Sequence, residues 1–134
     1  VRNVNWLVSG TNFIAIASVN KKGKEGVQSR AAAHLIGDDP YLKYVIVVDE
    51  DIDVFNEQEV MWALATRSQP HKAIHIISTG NGNMLDPSQE EPGVTSIAII
   101  DATKPGHWRQ KPVEIPTLPE ETVRKIRQRL AKKE

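Results

Sequence analysis

The stretch that most constrains this chain is residues 43–67, KYVIVVDEDIDVFNEQEVMWALATR. Val45, Ile46, Val47 and Val48 are all β-branched or strongly apolar, with no polar alternation. A run this short fits a strand covered on both faces, which in an α/β protein is a central parallel strand. It ends in a packed acidic turn at Asp49, Glu50, Asp51 and Asp53. Asn56 with Glu59 three residues later forms a capping box, placing a helix start near Glu57. Val60, Met61, Leu64 and Ala65 make its expected buried stripe, with Trp62 beside it. In open α/β sheets ligands bind where strand carboxyl ends meet the following helices. This junction is therefore the first candidate for chemistry.

The flanking segments read as more of the same architecture. Trp6 to Val8 and Asn12 to Val19 suggest two strands joined by a turn at Gly10. From Lys24 to Ile36 the pattern turns helical, with Val27, Ala31, His34 and Leu35 on one face and Gly37 as the expected stop. Pro70 closes the second helix. Ala73 to Ile77 is a third short apolar strand, giving a β-α-β-α-β order that favours a right-handed parallel arrangement. Thr79 to Gly93 carries three of the eight glycines, two prolines and little that is apolar beyond Met84 and Leu85. It reads as a long loop, the kind that is functional or disordered. Thr95 to Ile100 is a fourth strand ending at Asp101, and Asp101 to Pro116 is irregular, with Trp108 as its anchor. Thr117-Leu118-Pro119-Glu120 opens a last helix with an apolar stripe of Val123, Ile126 and Leu130. The expected fold is α/β, a mostly parallel, mixed sheet of about four to five strands with helices packed on it. It comprises the β-α-β-α-β core plus the C-terminal helix, as one domain over residues 1–134.

Composition excludes several functions. Seventeen basic and seventeen acidic side chains leave no net charge, so no global field draws the chain to nucleic acid or to an anionic membrane. Cysteine is absent, which removes disulfides, thiolate chemistry and cysteine-based zinc sites. No apolar run approaches a membrane span, and a cytoplasmic location is the default expectation. Starting at Val1 instead of methionine leaves open a longer parent chain or a removed start.

The acidic turn could hold magnesium, as in phosphoryl-transfer domains, or its carboxylates could satisfy loop amides. No phosphate loop or P-loop lysine accompanies it. His71 and His75 lie across a strand start, too far apart for one metal, and His34 and His107 are isolated, so no metal site is expected. Arg124, Lys125, Arg127, Arg129, Lys132 and Lys133 complement the dipole of the last helix; without interleaved aromatics they do not read as an RNA surface. The Gly- and Asn-rich loop could close over a flat ligand through Met84 and Leu85.

These residues also carry a resemblance. The segment VVDEDIDVFNEQEVMWALATRSQP closely resembles the carboxyl-terminal segment of UbiD-type decarboxylases. The family pattern is an apolar strand, a V-D-x-D-I-D turn, then a helix with V-x-W-A and T-R followed by proline. It appears here as Val48-Asp49-Glu50-Asp51-Ile52-Asp53, Val60, Trp62-Ala63, Thr66-Arg67 and Pro70. Leu85-Asp86-Pro87-Ser88 and Asp101-Ala102-Thr103-Lys104-Pro105 follow in the family's order, so the likeness runs from about Phe13 to Pro105.

The resemblance implies a prenylated-FMN-dependent carboxy-lyase acting on aromatic or α,β-unsaturated acids. In that family an upstream split-barrel domain binds the flavin and supplies the catalytic arginine and two glutamates. No catalytic residue is therefore carried onto this chain, and no cofactor is expected on it alone. The implied contribution is one wall of the active-site cleft, through Leu85 with Asn83 and Met84, and much of an oligomer interface. Asp51, Asp53, Trp62, Arg67 and Asp101 read as structural framework. Implied partners are the remaining domains or a catalytic subunit, in a homo- or hetero-oligomer. A non-catalytic assembly or regulatory domain bound to a catalytic subunit is the alternative, and a magnesium enzyme built on the acidic turn is a third.

Overall fold

A computed structural model describes residues 1–109 and 118–130. The expected cap at Thr117, residues 110–116 of the irregular stretch, and Lys132 and Lys133 lie outside the described residues. Five strands form one mixed sheet: β1 (Val4–Trp6), β2 (Ile14–Val19), β3 (Tyr44–Asp49), β4 (Ile74–Asn81) and β5 (Val94–Ala102), in the order β1-β2-β3-β5-β4. The helices are α1 (Val27–Asp38), α2 (Glu57–Arg67), the short α3 (Pro70–Ala73) and α4 (Glu120–Leu130). Among the described residues no helix is long and apolar enough to cross a membrane.

The apolar run at 45–48 is the centre of the sheet, parallel to β2 on one side and to β5 on the other. Its side chains alternate between two cores. Val45 and Val47 pack with Ala31, Ala32 and Leu35 of α1, while Ile46 and Val48 pack with Val60 and Ala63 of α2. Both faces are covered, so every position from 45 to 48 must be apolar. Burying a side chain of this size contributes about 1.5 to 3 kcal/mol.

Helix α2 begins where the sequence places it. Asn56 Oδ1 accepts from the amides of Gln58 and Glu59. Glu59 reaches back to the Asp53 amide and the Asn56 side chain instead of the Asn56 amide. The buried stripe is Val60, Ala63 and Arg67, with Trp62 and Leu64 half-buried; Met61 is 49% exposed and Ala65 is exposed. The expected stripe was rotated because Arg67, a charged residue, takes an inward position. In α1 His34 is exposed while Ala32 is buried. Gly37 does not stop that helix, which runs to Asp38 and closes with the Asp39 amide on the Leu35 carbonyl. Pro40 restricts Asp39 to an extended conformation, and this ends the helix.

The β-α-β-α-β order holds through β4, but β4 is not parallel. It forms the sheet edge and runs antiparallel to β5, with an irregularity between Ile77 and Gly80. The cause lies in α2. Its last residue, Arg67, is pinned to Asp49 and Asp51 at the carboxyl end of β3. The chain therefore leaves α2 at the same end of the sheet where β3 finished, and the next strand has to run back. Pro70 then opens α3 as its first residue instead of only closing α2. β4 is exposed along most of its length, with Ile74, Ile76 and Ile77 at 41%, 69% and 41%.

Candidate functional site

Two regions singled out in the sequence lie at opposite ends of the parallel strands. The acidic junction follows β3 at the carboxyl edge. The loop with Met84 and Leu85 joins β4 to β5, and so sits at the amino edge, beside Lys43 at the start of β3. Five strand steps of about 3.3 Å place these edges roughly 17 Å apart.

At the carboxyl edge the Arg67 guanidinium is almost wholly buried and meets Asp51 through two bonds, Nη1–Oδ1 at 3.0 Å and Nη2–Oδ2 at 2.9 Å. Asp49 Oδ2 lies 3.5 Å from Nη1. The Trp62 ring covers the guanidinium at 5.2 Å, and Nε has no acceptor among the described residues. Lys104 adds its ammonium to Asp51 at 2.7 Å and its backbone amide to Asp49. Lys21 donates to the Thr103 hydroxyl and the Lys104 carbonyl, both at 3.0 Å. Asp101 Oδ1 accepts from the amide and hydroxyl of Thr103, and Asp53 Oδ1 from the Phe55 amide.

The two aspartates sharing Arg67 titrate in opposite directions. Burial pushes the Asp49 carboxyl above its ordinary value, only partly offset by the Lys104 amide, Lys21 and Arg67. At Asp51 burial acts the same way, but hydrogen bonds from Arg67 and Lys104 outweigh it and hold the carboxyl at about 2. The difference is that Asp51 has a bidentate guanidinium and the Lys104 ammonium, whereas Asp49 has the guanidinium only at 3.5 Å. A cleft of about 270 Å³ opens here, lined by Lys21, Arg67, Lys72, Asp101, Thr103 and Lys104 among others. Both Asp51 oxygens and Asp49 Oδ2 are taken by cations and an amide. Among the described residues no group of three or more His, Asp or Glu side chains is placed to hold a metal.

The loop at the amino edge is built differently. Asn83 Oδ1 accepts from the Leu85 amide at 3.0 Å, and its carbonyl accepts from the Asp86 amide and from Gln89 Nε2, both at 2.9 Å. Asp86 Oδ1 accepts from the amide and hydroxyl of Ser88. Gln89 Oε1 takes the Gly93 amide, and the Gly82 amide meets the Gly93 carbonyl. A Cβ at Gly82 would stand 2.3 Å from Gln89 Nε2 and 2.9 Å from Thr95, so only glycine fits. The stem is thus closed, and its tip carries Met84 and Leu85 outward, 77% and 83% exposed. Asn83 is half-buried and spends its side chain shaping the turn.

Lys43 Nζ meets Asp86 Oδ2 at 2.8 Å and also contacts Ser88 Oγ. Hydrogen bonds from Lys43 and then Ser88 hold the Asp86 carboxyl at about 2. Sequence reading passed over Lys43 and Gln89. The available signal was Asp86-Pro87-Ser88, a turn pattern in which an aspartate caps the amide two residues on. A cleft of about 540 Å³ lies beside the loop, lined by Lys43, Thr79, Ser88, Gln89 and Thr95 among others. Met84 and Leu85 are not among its lining residues.

This mixed sheet is a known one. Residues 1–102 match the family described as the 3-octaprenyl-4-hydroxybenzoate carboxy-lyase C-terminal domain. The chain belongs to that family, the carboxyl-terminal domain of UbiD-type decarboxylases. An anhydromevalonate phosphate decarboxylase of Aeropyrum pernix is 42% identical over 101 residues, covering 72% of this chain and 22% of the relative. A phenolic acid decarboxylase of Sedimentibacter hydroxybenzoicus is 54% identical over 66 residues, which is 49% of this chain and 14% of that enzyme. Among solved structures, the UbiD-class enzyme HmfF from Pelotomaculum thermopropionicum in complex with FMN superposes with a TM-score of 0.80 at 35% identity. That match covers 87% of this chain and 26% of the other. The closed form of the Sedimentibacter vanillic acid decarboxylase gives 0.72 at 37% identity, covering 95% and 28%. The chain therefore spans less than a third of each of these relatives.

Proposed function

We infer that this chain is the carboxyl-terminal domain, or a small separate subunit, of a prenylated-FMN-dependent carboxy-lyase acting on aromatic or α,β-unsaturated acids. Its part is to supply one wall of the substrate cleft and part of the oligomer interface. The observation that carries the reading is the loop tip. Two large apolar side chains, Met84 and Leu85, stand in solvent on a turn fixed by hydrogen bonds, and not on a frayed one. Leaving such side chains exposed costs burial energy that a facing surface recovers. Relatives named as decarboxylases of phenolic acids and gallate, and a UbiD-class relative in complex with prFMN, supply the substrate class and cofactor.

Of the basic groups lining the carboxyl-edge cleft, Arg67, Lys104 and Lys21 are engaged by Asp49, Asp51 and Thr103, and Lys72 stands beside them. From membership of the carboxyl-terminal domain family, and a span of about a quarter of the FMN-bound relative, we assign the flavin and the acid-base residues to the remaining domains or a catalytic subunit, and no step through the flavin to this chain. The framework role falls to Asp51, Asp53, Trp62, Arg67 and Asp101. A second reading, an assembly domain without a share in the cleft, draws on the sheet face. Tyr44 and Ile76 both register with Ala98 and so form one row across it, 41% and 69% exposed.

Kinetics of Leu85→Ala in the assembled decarboxylase separate the two. A changed preference among vanillate, 3,4-dihydroxybenzoate and gallate, with assembly intact, is expected of a cleft wall. Unchanged kinetics in all three would leave the assembly reading.

A further inference from the structure

We propose that Lys43 is a positioning residue that orients the Met84–Leu85 turn toward the substrate by tying it to the centre of the sheet. The role rests on the reading of that turn as a cleft wall. The backbone of Lys43 cannot shift without shearing three strands. Its amide donates to the Phe13 carbonyl, just before β2, at 2.8 Å, and its carbonyl accepts from Ala98 of β5 at 2.9 Å. From that fixed point the side chain, 20% exposed, reaches the Asp86 carboxylate, which is 7% exposed.

The donors and acceptors divide without conflict. Asp86 Oδ1 closes the local turn onto the Ser88 amide and hydroxyl, leaving Oδ2 for Lys43. Ser88 donates to Asp86 and accepts from Lys43. Asn83 and Asp86 shape the turn, and among the described residues their other hydrogen bonds are within the loop. Local turns define a shape and do not say how it is aimed. Lys43 is the side chain that connects this shape to β3 and β5, and an ammonium held to a buried carboxylate is stronger than a neutral pair.

The test compares Lys43→Met, Asp86→Asn, their double variant and Lys43→Arg with Leu85→Ala in the assembled enzyme. Amide exchange and steady-state kinetics are followed with whichever of vanillate, 3,4-dihydroxybenzoate or gallate it turns over. Lys43→Met should speed exchange at the Leu85, Asp86 and Ser88 amides about tenfold or more, with β3 and β5 unchanged. KM should rise while kcat stays within about twofold, as expected when binding geometry is lost and chemistry is not. The double variant should be no worse than the worse single one, and Lys43→Arg should recover part of the loss. If Leu85→Ala alters KM but Lys43→Met changes neither exchange nor KM, the positioning role is wrong and the cleft-wall reading stands. If Lys43→Met loosens the turn and neither variant moves the kinetics, the cleft-wall reading itself is wrong, and the positioning role with it.

Discussion

At the carboxyl edge of the sheet Arg67 is 3% exposed and its charge is shared between Asp49 and Asp51. At the amino edge Lys43 pairs with Asp86 beneath a tip whose side chains are 77% and 83% exposed. Both are cation–carboxylate contacts linking a loop or helix to β3, yet they do opposite things. The first joins the end of a strand to the end of a helix and fixes the path of the backbone. The second ties a turn to the sheet and leaves apolar side chains outside. Charge at a strand end can thus be spent on internal contacts. The charged groups are paired at both edges; what separates the two is the pair of large apolar side chains left in solvent beyond the amino-edge contact.

The sharpest way to break this comparison is Arg67→Ala. It removes the guanidinium from the half-buried Asp49 and strips Asp51 of two bonds, with a loss of about 3 kcal/mol in urea unfolding. A loss below about 1 kcal/mol would mean that the junction is not what fixes the helix to the strand.

A smaller effect is read through pH. Asp51 sits at about 2 when folded against an ordinary 3.8. A depressed carboxyl stabilises the fold above its ordinary pKa and loses that contribution as pH falls toward the folded value. Asp51→Asn should therefore be less stable than the parent near neutrality, and the gap should close between about pH 4 and pH 2. Asp49, shifted upward, works in the other direction, since its protonation favours the fold, so the acid limb of the parent should be shallower than Asp51 alone would make it. A gap independent of pH would remove the ion pair from the account.

The smallest effect is expected at the other edge. Leu85→Ala, at a side chain 83% exposed, should change stability by no more than about 0.5 kcal/mol. A loss of 2 kcal/mol there would show that the tip is packed and not presented.

Much of the architecture was legible because its signals are local. Four consecutive apolar residues at 45–48 require cover on both faces, and Asn56 supplies its own cap whatever the rest of the chain does. The loop was legible as a loop from its glycines, and Leu85 and Met84 as its apolar residues. The helical stripe was not. Periodicity ranks positions by hydrophobicity, and it cannot foresee that Arg67 will displace Met61 and Ala65 from the inner face by finding two carboxylates there.

The residues of this chain determined by themselves a central β3, the start of α2, the α/β class and, through the ordered motifs from Val48 to Pro105, the family. Each follows from contacts within a few residues or from a pattern that needs no partner. Tertiary structure alone decided the direction of β4, the inward turn of Arg67 and the placing of the acidic junction and the Leu85 loop at opposite edges. Those depend on which distant side chains meet, and a charge at position 67 has no preferred face until Asp49 and Asp51 are brought to it. The same holds for Lys43, which is one more surface lysine until Asp86 is folded back against it.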